Sequence, residues 1–286
     1  LHEYMHIHVH VHAHAHVTCT CRASFAPTML AQPRWNSALG VWEGNAALGT
    51  TAMPSPLWIF GYGSLCWKAD FPSEEQFVGR VSGWKRLFAQ RSTDHRGTPA
   101  APGLVATVLT DEQLEVLKLR SPGTPYGALK GLGLDRGHRA QPRNPKRQPQ
   151  PPSRPGEAAS VCCGVCYRVG EADVESVLGN LDFREKGGYT RDVVEVTPVE
   201  AGRPAVRALL YTANPENPHF SPPASLTSRD ALEATAALIA EAAGPSGDNA
   251  YYLLQLAAFL ESVGERDEHV EGLAALVRRS RQGGAQ

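Results

Sequence analysis

The pattern of apolar and polar positions divides the chain into segments of different character. From His6 to His16, His alternates with Val, Ile and Ala, and no longer apolar periodicity develops before Leu57. Apolar runs of strand and helix length follow from Leu57, and a Pro-, Arg- and Gln-rich stretch interrupts them. The pattern predicts a disordered extension over 1–56, a single folded domain over 57–281, a disordered insertion in that domain at about 112–160, and a tail over 282–286.

Strand patterns fill the first part of the predicted domain. Leu57–Phe60 is a short apolar run that ends at Gly61, which is typical of a buried strand entering a tight turn. The segment 89–103 carries turn residues and predicts a loop. Further strands are predicted over Val78–Phe88, Leu104–Leu109, Val165–Val169, Val193–Val199 and Ala205–Tyr211.

Helical spacing appears over Glu171–Leu181 and then dominates the C-terminal part. Helices are predicted over Arg229–Ala243, with Gly244 as its C′ glycine, and over Asn249–Val263, capped by Ser246 or Asp248. Asp267 is predicted to cap a last helix. Tyr251, Tyr252 and Phe259 are predicted core positions, and an aromatic edge that lines a pocket is the alternative. Strands followed by a block of helices indicate the α+β class.

Charge and cysteine content narrow the class of protein. The chain has 28 basic and 29 acidic side chains, so a polyanionic partner such as nucleic acid is not expected. No apolar run approaches the roughly 18 residues that a membrane-spanning helix needs, and no signal-peptide pattern is present. The six cysteines do not form a disulfide framework, because Cys19 and Cys21 are too close to bridge easily and Cys162, Cys163 and Cys166 crowd one segment. Reduced thiols and a cytoplasmic location are therefore favoured.

Candidate chemistry begins at Phe60-Gly-Tyr-Gly-Ser-Leu65. Gly61 and Gly63 let the backbone turn tightly and direct N–H groups at a carboxylate or a developing oxyanion. Cys66 occupies the position where a dinucleotide fingerprint needs its third glycine, and Ser64 lacks the glycine that follows a nucleophile elbow. On this motif alone, an ordinary glycine turn remains open.

The second candidate is Leu181-Asp-Phe-Arg-Glu-Lys-Gly-Gly-Tyr189, where a predicted helix ends in a glycine turn. Glu185 lies in that junction, between Arg184 and Lys186. A carboxylate in a partly apolar environment can have a raised pKa, so that it accepts and returns a proton. The alternative is a surface carboxylate paired with a neighbouring cation.

These two stretches, with Ser92-Thr-Asp-His-Arg-Gly97 between them, resemble the signature sequences of ChaC-type glutathione-specific γ-glutamylcyclotransferases. Asn217-Pro218, Ala243-Gly-Pro-Ser-Gly247 and Asp267-Glu-His269 extend the similarity. The resemblance covers about 57–111 and 160–281.

The resemblance implies a compact mixed β-barrel flanked by helices, with glutathione as a small-molecule substrate. It implies cleavage to 5-oxoproline and Cys-Gly without a cofactor or a metal, with Glu185 as the general acid/base. It gives no oligomeric state. The substrate site is implied to be lined by Ile59, Phe60, Gly61, Tyr62, Gly63 and Ser64.

Several positions depart from the family pattern, and other functions stay open. Cys163 stands where Trp is usual, and Phe220 stands where Tyr is common. Within the enzyme class, the substrate could be another γ-glutamyl amine or peptide; outside it, the chain could be a binding protein with the same fold. Two further alternatives are a thiol hydrolase that uses Cys66, Asp94 and His95 and a zinc site at Cys162-Cys-x-x-Cys166. The last alternative is a metal-binding His tract. It lies in the N-terminal extension, which is dispensable if translation starts at Met53.

Overall fold

Five strands close into a barrel in the computed structural model, which describes residues 34–36, 41–43, 54–118, 159–184, 189–213, 215 and 217–283. The strands are β1 (Arg34–Asn36), β2 (Val41–Glu43), β3 (Trp58–Gly61), β4 (Glu75–Ser82), β5 (Trp84–Ser92), β6 (Gly103–Thr110), β7 (Val161–Arg168), β8 (Tyr189–Pro198), β9 (Val206–Ala213), β10 (Ala243–Gly244) and β11 (Gly247–Asp248). The helices are α1 (Asp111–Lys118), α2 (Val174–Arg184), α3 (Arg229–Glu241), α4 (Asn249–Ser262) and α5 (Glu268–Gly283).

The barrel has the strand order β3-β7-β4-β8-β9, and β9 closes it by pairing with β3. β3 runs antiparallel to β7 and parallel to β9, so Phe60 pairs with Cys166 on one side and Leu210 on the other. The sheet is therefore mixed. Together with the helices, this confirms the prediction of an α+β fold built on a mixed barrel.

The hairpin β5–β6 forms a second sheet, and it corrects one prediction. The run Val78–Phe88 was predicted as a single strand, but it belongs to two strands, β4 and β5. Gly83 separates them with a φ of 80°, a left-handed conformation that glycine adopts without steric cost. The chain therefore leaves the barrel after Ser82 and enters the hairpin at Trp84.

Helix α1 occupies the first part of the region predicted as an insertion. The Thr110 N–H donates to Gln113 Oε1 at 2.8 Å, and the Gln113 N–H donates to Thr110 Oγ1 at 3.2 Å. This reciprocal pair is a capping box, which satisfies backbone donors that the first helical turn leaves free. Residues 119–158 lie outside the described part of the chain.

The C-terminal helices begin where their caps were predicted. Asp248 accepts a hydrogen bond from the Tyr251 N–H at 2.8 Å, and Asp267 accepts one from the Val270 N–H at 3.2 Å. The predicted role of Gly244 is wrong: α3 ends at Glu241, and Gly244 lies in β10. An added Cβ at Gly244 would lie 2.4 Å from the His95 carbonyl oxygen, so glycine is needed there for close packing of two loops.

Among the described residues, three apolar clusters form the core. The largest fills the barrel and extends to α3, α4 and α5, and it includes Phe60 and Tyr252. Tyr251 is 51% exposed, so its predicted core position is wrong. A second cluster joins α2 to the barrel through Val177, Leu181, Ile59, Leu209 and Tyr211, and a third joins α1 to the hairpin through Leu114, Leu117, Leu87 and Leu109.

Several predicted features lie wholly or partly outside the described residues. The His tract 6–16 and Met53 lie outside the described residues, as do residues 284–286 of the predicted tail. Within the predicted extension, β1 and β2 pair antiparallel. Among the helices that the structure describes, none combines the length and apolarity needed to cross a bilayer.

Candidate active site

The glycine loop, defined as Gly61–Ser64, leaves the end of β3 and leads into a 3-10 turn over Ser64–Cys66. β3 lies between β7 and β9 in the barrel, so the loop begins from a strand that is fixed on both sides. The side chains of Ile59 and Phe60 are 0% and 2% exposed and pack into two different core clusters. These two residues fix the start of the loop in the core. The loop itself consists largely of backbone, because Gly61 and Gly63 have no side chains.

Both glycines of the loop are required by close contacts. An added Cβ at Gly61 would lie 2.3 Å from Leu65 Cβ, and one at Gly63 would lie 2.6 Å from the hydroxyl oxygen of Tyr252. Real Cβ atoms almost never approach another atom this closely, so a side chain at either position would displace its neighbour. The loop conformation therefore depends on glycine at both positions.

Buried side chains hold the loop in place. Arg86 Nε donates a hydrogen bond to the Tyr62 carbonyl oxygen at 3.0 Å, and the Tyr167 hydroxyl donates one to the Leu65 carbonyl oxygen. The Cys66 thiol donates to the Gly61 carbonyl oxygen at 3.4 Å. Burial raises the pKa of Cys66 to about 12, so this thiol stays protonated at neutral pH and does not serve as the nucleophile of a thiol hydrolase.

The stretch Ser92–Gly97, which lies between the two main motifs in the sequence, is hydrogen-bonded to the turn formed by Ala243–Gly247. The Ser246 N–H donates to the His95 carbonyl oxygen at 2.9 Å, and His95 Nδ1 is hydrogen-bonded to Ser246 Oγ at 3.1 Å. The Arg96 guanidinium lies 5.7 Å from the ring centroid of Tyr252, the residue that contacts Gly63. The stretch Ser92–Gly97 is therefore bonded to the turn 243–247 and linked to the glycine loop through Tyr252.

The C-terminal turn of α2 is anchored to two barrel strands. Asp182 accepts hydrogen bonds from Arg191 of β8, one of them from Nε at 3.1 Å, and from the Tyr211 hydroxyl of β9 at 2.6 Å. Arg184 forms an ion pair with Asp70 at 3.5 Å, on the segment that follows the glycine loop. These contacts fix where α2 ends, one residue before the predicted acid/base residue Glu185.

Glu185 itself, with residues 186–188, lies outside the described part of the chain. Its neighbours on both sides are described. Leu181 before it and Tyr189 after it belong to the cluster that also contains Leu65, at the end of the glycine loop. The structure therefore brings the two ends of this four-residue connection to the neighbourhood of the loop.

Two cavities bounded by described residues lie elsewhere. One, of about 590 Å³, lies next to Trp58, at the opposite end of β3 from Gly61, and is lined by the ion-paired Glu75 and Arg203. The other, of about 250 Å³, lies between His269 and the start of α3. Neither contains a residue of the glycine loop, so size alone does not identify the site. Within the described part of the chain, no cluster of three or more His, Cys, Asp or Glu side chains is arranged to hold a metal ion.

Three residues of this site were not found from the sequence. Arg86, Tyr167 and Tyr252 come from β5, β7 and α4, and each contacts the glycine loop or the residue after it. Tyr252 was predicted as a core residue, with an aromatic edge that lines the pocket as the alternative, and its contact with Gly63 was not predicted. Arg86 follows Lys85 in a strand with many apolar residues, and a charged residue at a buried strand position was the one available signal.

Comparison with known proteins gives a consistent result. A family model described as ChaC-like protein matches residues 57–280. The chain is 33% identical over 228 residues to γ-glutamylcyclotransferase 2-3 of Arabidopsis thaliana, covering 78% of this chain and 88% of the relative. It is 31% identical over 258 residues to glutathione-specific γ-glutamylcyclotransferase 1 of Rattus norvegicus, covering 89% and 86%.

A solved structure supports the same relationship. The crystal structure of a γ-glutamyl cyclotransferase specific to glutathione from yeast superposes with a TM-score of 0.57 and 28% identity. The alignment covers 79% of this chain and all of the yeast chain. The similarity therefore extends from sequence motifs to the whole fold.

Proposed function

The chain belongs to the ChaC-like protein family, and from this premise we propose that it is a glutathione-specific γ-glutamylcyclotransferase. One observation carries the proposal. The family match over 57–280 includes both the glycine loop and the stretch Leu181–Tyr189. Relatives with this specific name in rat, human and fission yeast are 30–33% identical and align over most of the chain.

The reaction is an intramolecular acyl transfer. The α-amine of the glutamyl residue attacks the γ-carbonyl carbon, a C–N bond forms, and the bond from that carbon to the cysteinyl nitrogen breaks. The α-nitrogen loses two protons as its ammonium group becomes the lactam N–H, and the cysteinyl nitrogen gains two as the amide becomes the ammonium group of Cys-Gly. At least one of these has to be carried from the first nitrogen to the second. The products are 5-oxoproline and Cys-Gly; no water is consumed and no electrons change hands. Nucleophile and electrophile belong to the same residue, so the protein has to fold the substrate and move a proton.

Glu185 is the proposed group that moves this proton. The carboxylate accepts the proton from the α-ammonium group and returns it to the cysteinyl nitrogen. The anchoring of Asp182 to Arg191 and Tyr211 supports the assignment, because it limits where the next residues can lie. The ion pair between Arg184 and Asp70 brings this end of α2 towards the glycine loop.

The glycine loop is the proposed binding site for the glutamyl group. Its backbone N–H groups suit either the α-carboxylate of the substrate or the oxyanion of the tetrahedral intermediate. Ile59 and Phe60 contribute by holding the loop from the core, and Gly61, Tyr62, Gly63 and Ser64 by forming it. A closed loop that excludes water also suppresses hydrolysis of the γ-glutamyl bond.

A cyclotransferase for other γ-glutamyl amines is the second candidate. The name of the Arabidopsis relative does not specify glutathione. Phe220 also lacks the hydroxyl that the family often has at this position; it lies beside the hairpin, bridging to Gln90. Turnover of γ-glutamyl-alanine exceeding that of glutathione would favour this candidate.

A cytosolic location fits the proposed substrate. Glutathione and reduced thiols share the reducing compartment of the cell. The cysteines in the part of the chain that the structure describes, Cys66, Cys162, Cys163 and Cys166, are free and buried.

The first test is product release from millimolar glutathione by the full chain. The parent is expected to release 5-oxoproline and Cys-Gly in equal amounts, and Glu185→Gln is expected to lower kcat about 100-fold or more, since general acid/base groups contribute about 10²–10⁴. Glu175→Gln is a matched control, because Glu175 is an exposed carboxylate on α2. No product from a folded parent would contradict the function, and equal activity of the two variants would contradict the role of Glu185.

A further inference from the structure

Arg86 is a fully buried cation that joins the glycine loop to the rest of the molecule. Its side chain is 0% exposed, and its guanidinium has three acceptors. Nε donates to the Tyr62 carbonyl oxygen at 3.0 Å, and one terminal nitrogen donates to Asp267 Oδ2 at 2.8 Å. The other terminal nitrogen donates to the Cys163 carbonyl oxygen of β7.

A charge buried this completely needs compensating contacts, so the contacts of Arg86 show what holds its guanidinium in place. Removing a guanidinium from water costs several kcal/mol unless a counter-ion and hydrogen bonds compensate. Asp267 supplies the counter-ion, and two carbonyl oxygens supply the remaining acceptors. The planar fork of an arginine reaches all three acceptors at once, which a lysine ammonium on a single flexible stem does not. The Tyr62 carbonyl is therefore held in one orientation by a group that is itself fixed on three sides.

The orientation of this carbonyl determines the direction of the next N–H group. The peptide between Tyr62 and Gly63 is trans, so the Tyr62 C=O and the Gly63 N–H point in opposite directions. Arg86 lies in the core and draws the carbonyl inward. The Gly63 N–H therefore points away from Arg86, and among the described residues none accepts a hydrogen bond from it.

We propose that Arg86 is a positioning residue: it fixes the Tyr62–Gly63 peptide so that the Gly63 N–H is directed at an anionic oxygen of the bound γ-glutamyl group. The inference rests on the proposed function and deepens it by assigning one donor of the site. The oxygen belongs to the glutamyl α-carboxylate or to the oxyanion formed from the γ-carbonyl. Arg86 does not touch the substrate; it acts through the peptide that it holds.

The test compares Arg86→Lys with Val277→Ala in the full chain. Lysine keeps a charge for Asp267 but does not hold both carbonyls. Val277 is a fully buried residue of α5 that is not a hydrogen-bond partner of Arg86, so its truncation lowers stability and leaves the Arg86 hydrogen bonds in place. At a temperature where both variants are folded, Arg86→Lys is expected to lower kcat/KM about 10–100-fold, because a correctly placed oxyanion donor contributes about 10²–10³ in rate. Val277→Ala is expected to change kcat/KM less than about threefold.

The division of the loss between kcat and KM identifies the oxygen. A fall in kcat at unchanged KM assigns the Gly63 N–H to the oxyanion, and a rise in KM at unchanged kcat assigns it to the α-carboxylate. Unchanged kcat/KM in a folded Arg86→Lys variant overturns the positioning role alone, and so does a loss that Val277→Ala reproduces. An inactive parent overturns the proposed function as well.

A second measurement applies even if Arg86→Lys does not fold. Selective labelling with carbonyl-¹³C tyrosine and ¹⁵N glycine marks only the Tyr-Gly peptides, which are Tyr62–Gly63 and Tyr126–Gly127. Tyr126→Phe removes the second signal and identifies the first. Both possible oxygens are present in 5-oxoproline, so titration of the parent with this product is expected to move the Gly63 amide resonance downfield. A Gly63 resonance that does not respond at saturating 5-oxoproline overturns the proposal.

Discussion

At the scale of single residues, Tyr252 leaves no room for a side chain at Gly63. An added Cβ at Gly63 would lie 2.6 Å from the Tyr252 hydroxyl oxygen, and Tyr252 is held in turn by edge-on ring contacts with Trp67 and Phe88. Gly63→Ala is therefore expected to shift the loop, to destabilise the fold by about 1–3 kcal/mol, and to lower kcat/KM more than tenfold. Thermal unfolding and 5-oxoproline release measure the two effects.

Two further variants separate this contact from a general loss of glycine. Tyr252→Phe removes the atom that an alanine at position 63 would meet, so the double variant Gly63→Ala/Tyr252→Phe is expected to recover part of the activity. Gly179→Ala is the control: Gly179 lies in α2, and its added Cβ would meet nothing within 4 Å. It is expected to be neutral or to stabilise by about 0.5–1 kcal/mol, as alanine does in helices. If the double variant is no more active than Gly63→Ala, the contact does not explain the effect.

Some residues of this site can be predicted from the sequence, and others cannot. The two glycines of the loop could be identified because their stretch and the stretch Leu181–Tyr189 together resemble one family, whereas the glycine motif alone left an ordinary turn open. Arg86 and Tyr252 could not, because they lie 24 and 190 positions from Tyr62 (86 − 62 and 252 − 62) and carry no motif that links them to it. Their contribution depends on tertiary contacts, which a local pattern does not encode.

At the scale of secondary-structure elements, His269 joins α5 to the hairpin. Its Nε2 accepts a hydrogen bond from the Phe88 N–H at 3.1 Å, so this nitrogen must be unprotonated. Burial is the main cause that lowers the pKa of His269 from 6.5 to about 4. Asp267 opposes this shift, and the positive charges of Lys85 and Arg86 add to it.

This arrangement predicts how stability depends on pH. The folded-state pKa lies below the unfolded-state value, so the unfolded chain takes up the proton first on acidification. The stabilisation is fully present above about pH 6.5 and is lost as the pH falls towards about 4. From pH 7 to pH 5, we expect His269 to account for a loss on the order of 1–2 kcal/mol in the free energy of unfolding.

Urea unfolding of the parent and of His269→Gln at the two pH values measures this loss. Glutamine offers an acceptor to the Phe88 N–H but does not titrate in this range. The variant is expected to lose less stability than the parent on acidification. An equal loss in both proteins would mean that His269 is not the titrating group.

Element boundaries could be predicted where one residue type has one local role. Asp248 and Asp267 cap helices as their positions indicate. Thr110-x-x-Gln113 is a capping-box signal that marks the start of α1, although the Pro-rich sequence beyond it favoured an insertion. Gly244 was misassigned because a glycine after a helix has two uses, and here the close approach of the His95 carbonyl decides between them.

At the scale of the whole molecule, the chain leaves for the segment 119–158 at the end of α1 and returns from it at the start of α1. The Ser160 N–H donates to Asp111 Oδ2 at 3.2 Å, and the Gly83 N–H donates to the Ser160 carbonyl oxygen at 2.7 Å. Residue 160 therefore lies next to the first residue of α1. An eight-residue helix is about 12 Å long, so a short linker could return from Lys118 to Ala159.

We predict that residues 119–158 are dispensable. A flexible Gly/Ser linker of about eight residues has a root-mean-square span of about 15 Å, enough to cover the length of α1. Its substitution for 119–158 is expected to change Tm by less than about 3 °C and kcat/KM by less than about threefold. The control is a deletion that also removes α1, which should unfold the hairpin by exposing Leu87 and Leu109. A large loss of activity in the linker variant would give the segment a functional role.

The assembly of the site could be predicted only through resemblance. The stretches 60–65, 92–97 and 243–247 are widely separated in the chain and share no periodicity. His95 nevertheless bonds to Ser246, and the adjacent Arg96 lies against the Tyr252 ring, whose hydroxyl lies next to Gly63. The strand that leads into the glycine loop is itself fixed by a long-range pairing, because Ile59 of β3 pairs with Leu209 of β9, 150 positions away (209 − 59). Such long-range pairing depends on the whole topology, which no single segment specifies.

In the proposed reaction, the γ-glutamyl bond is cleaved by the substrate's own amine and not by water. The most direct measurement is a reaction of the full chain with glutathione in H₂¹⁸O, followed by mass spectrometry of the products. Intramolecular attack predicts 5-oxoproline without ¹⁸O and an equal amount of Cys-Gly, with no glutamate formed. Glutamate carrying one ¹⁸O in its γ-carboxylate would show hydrolysis and would contradict the account.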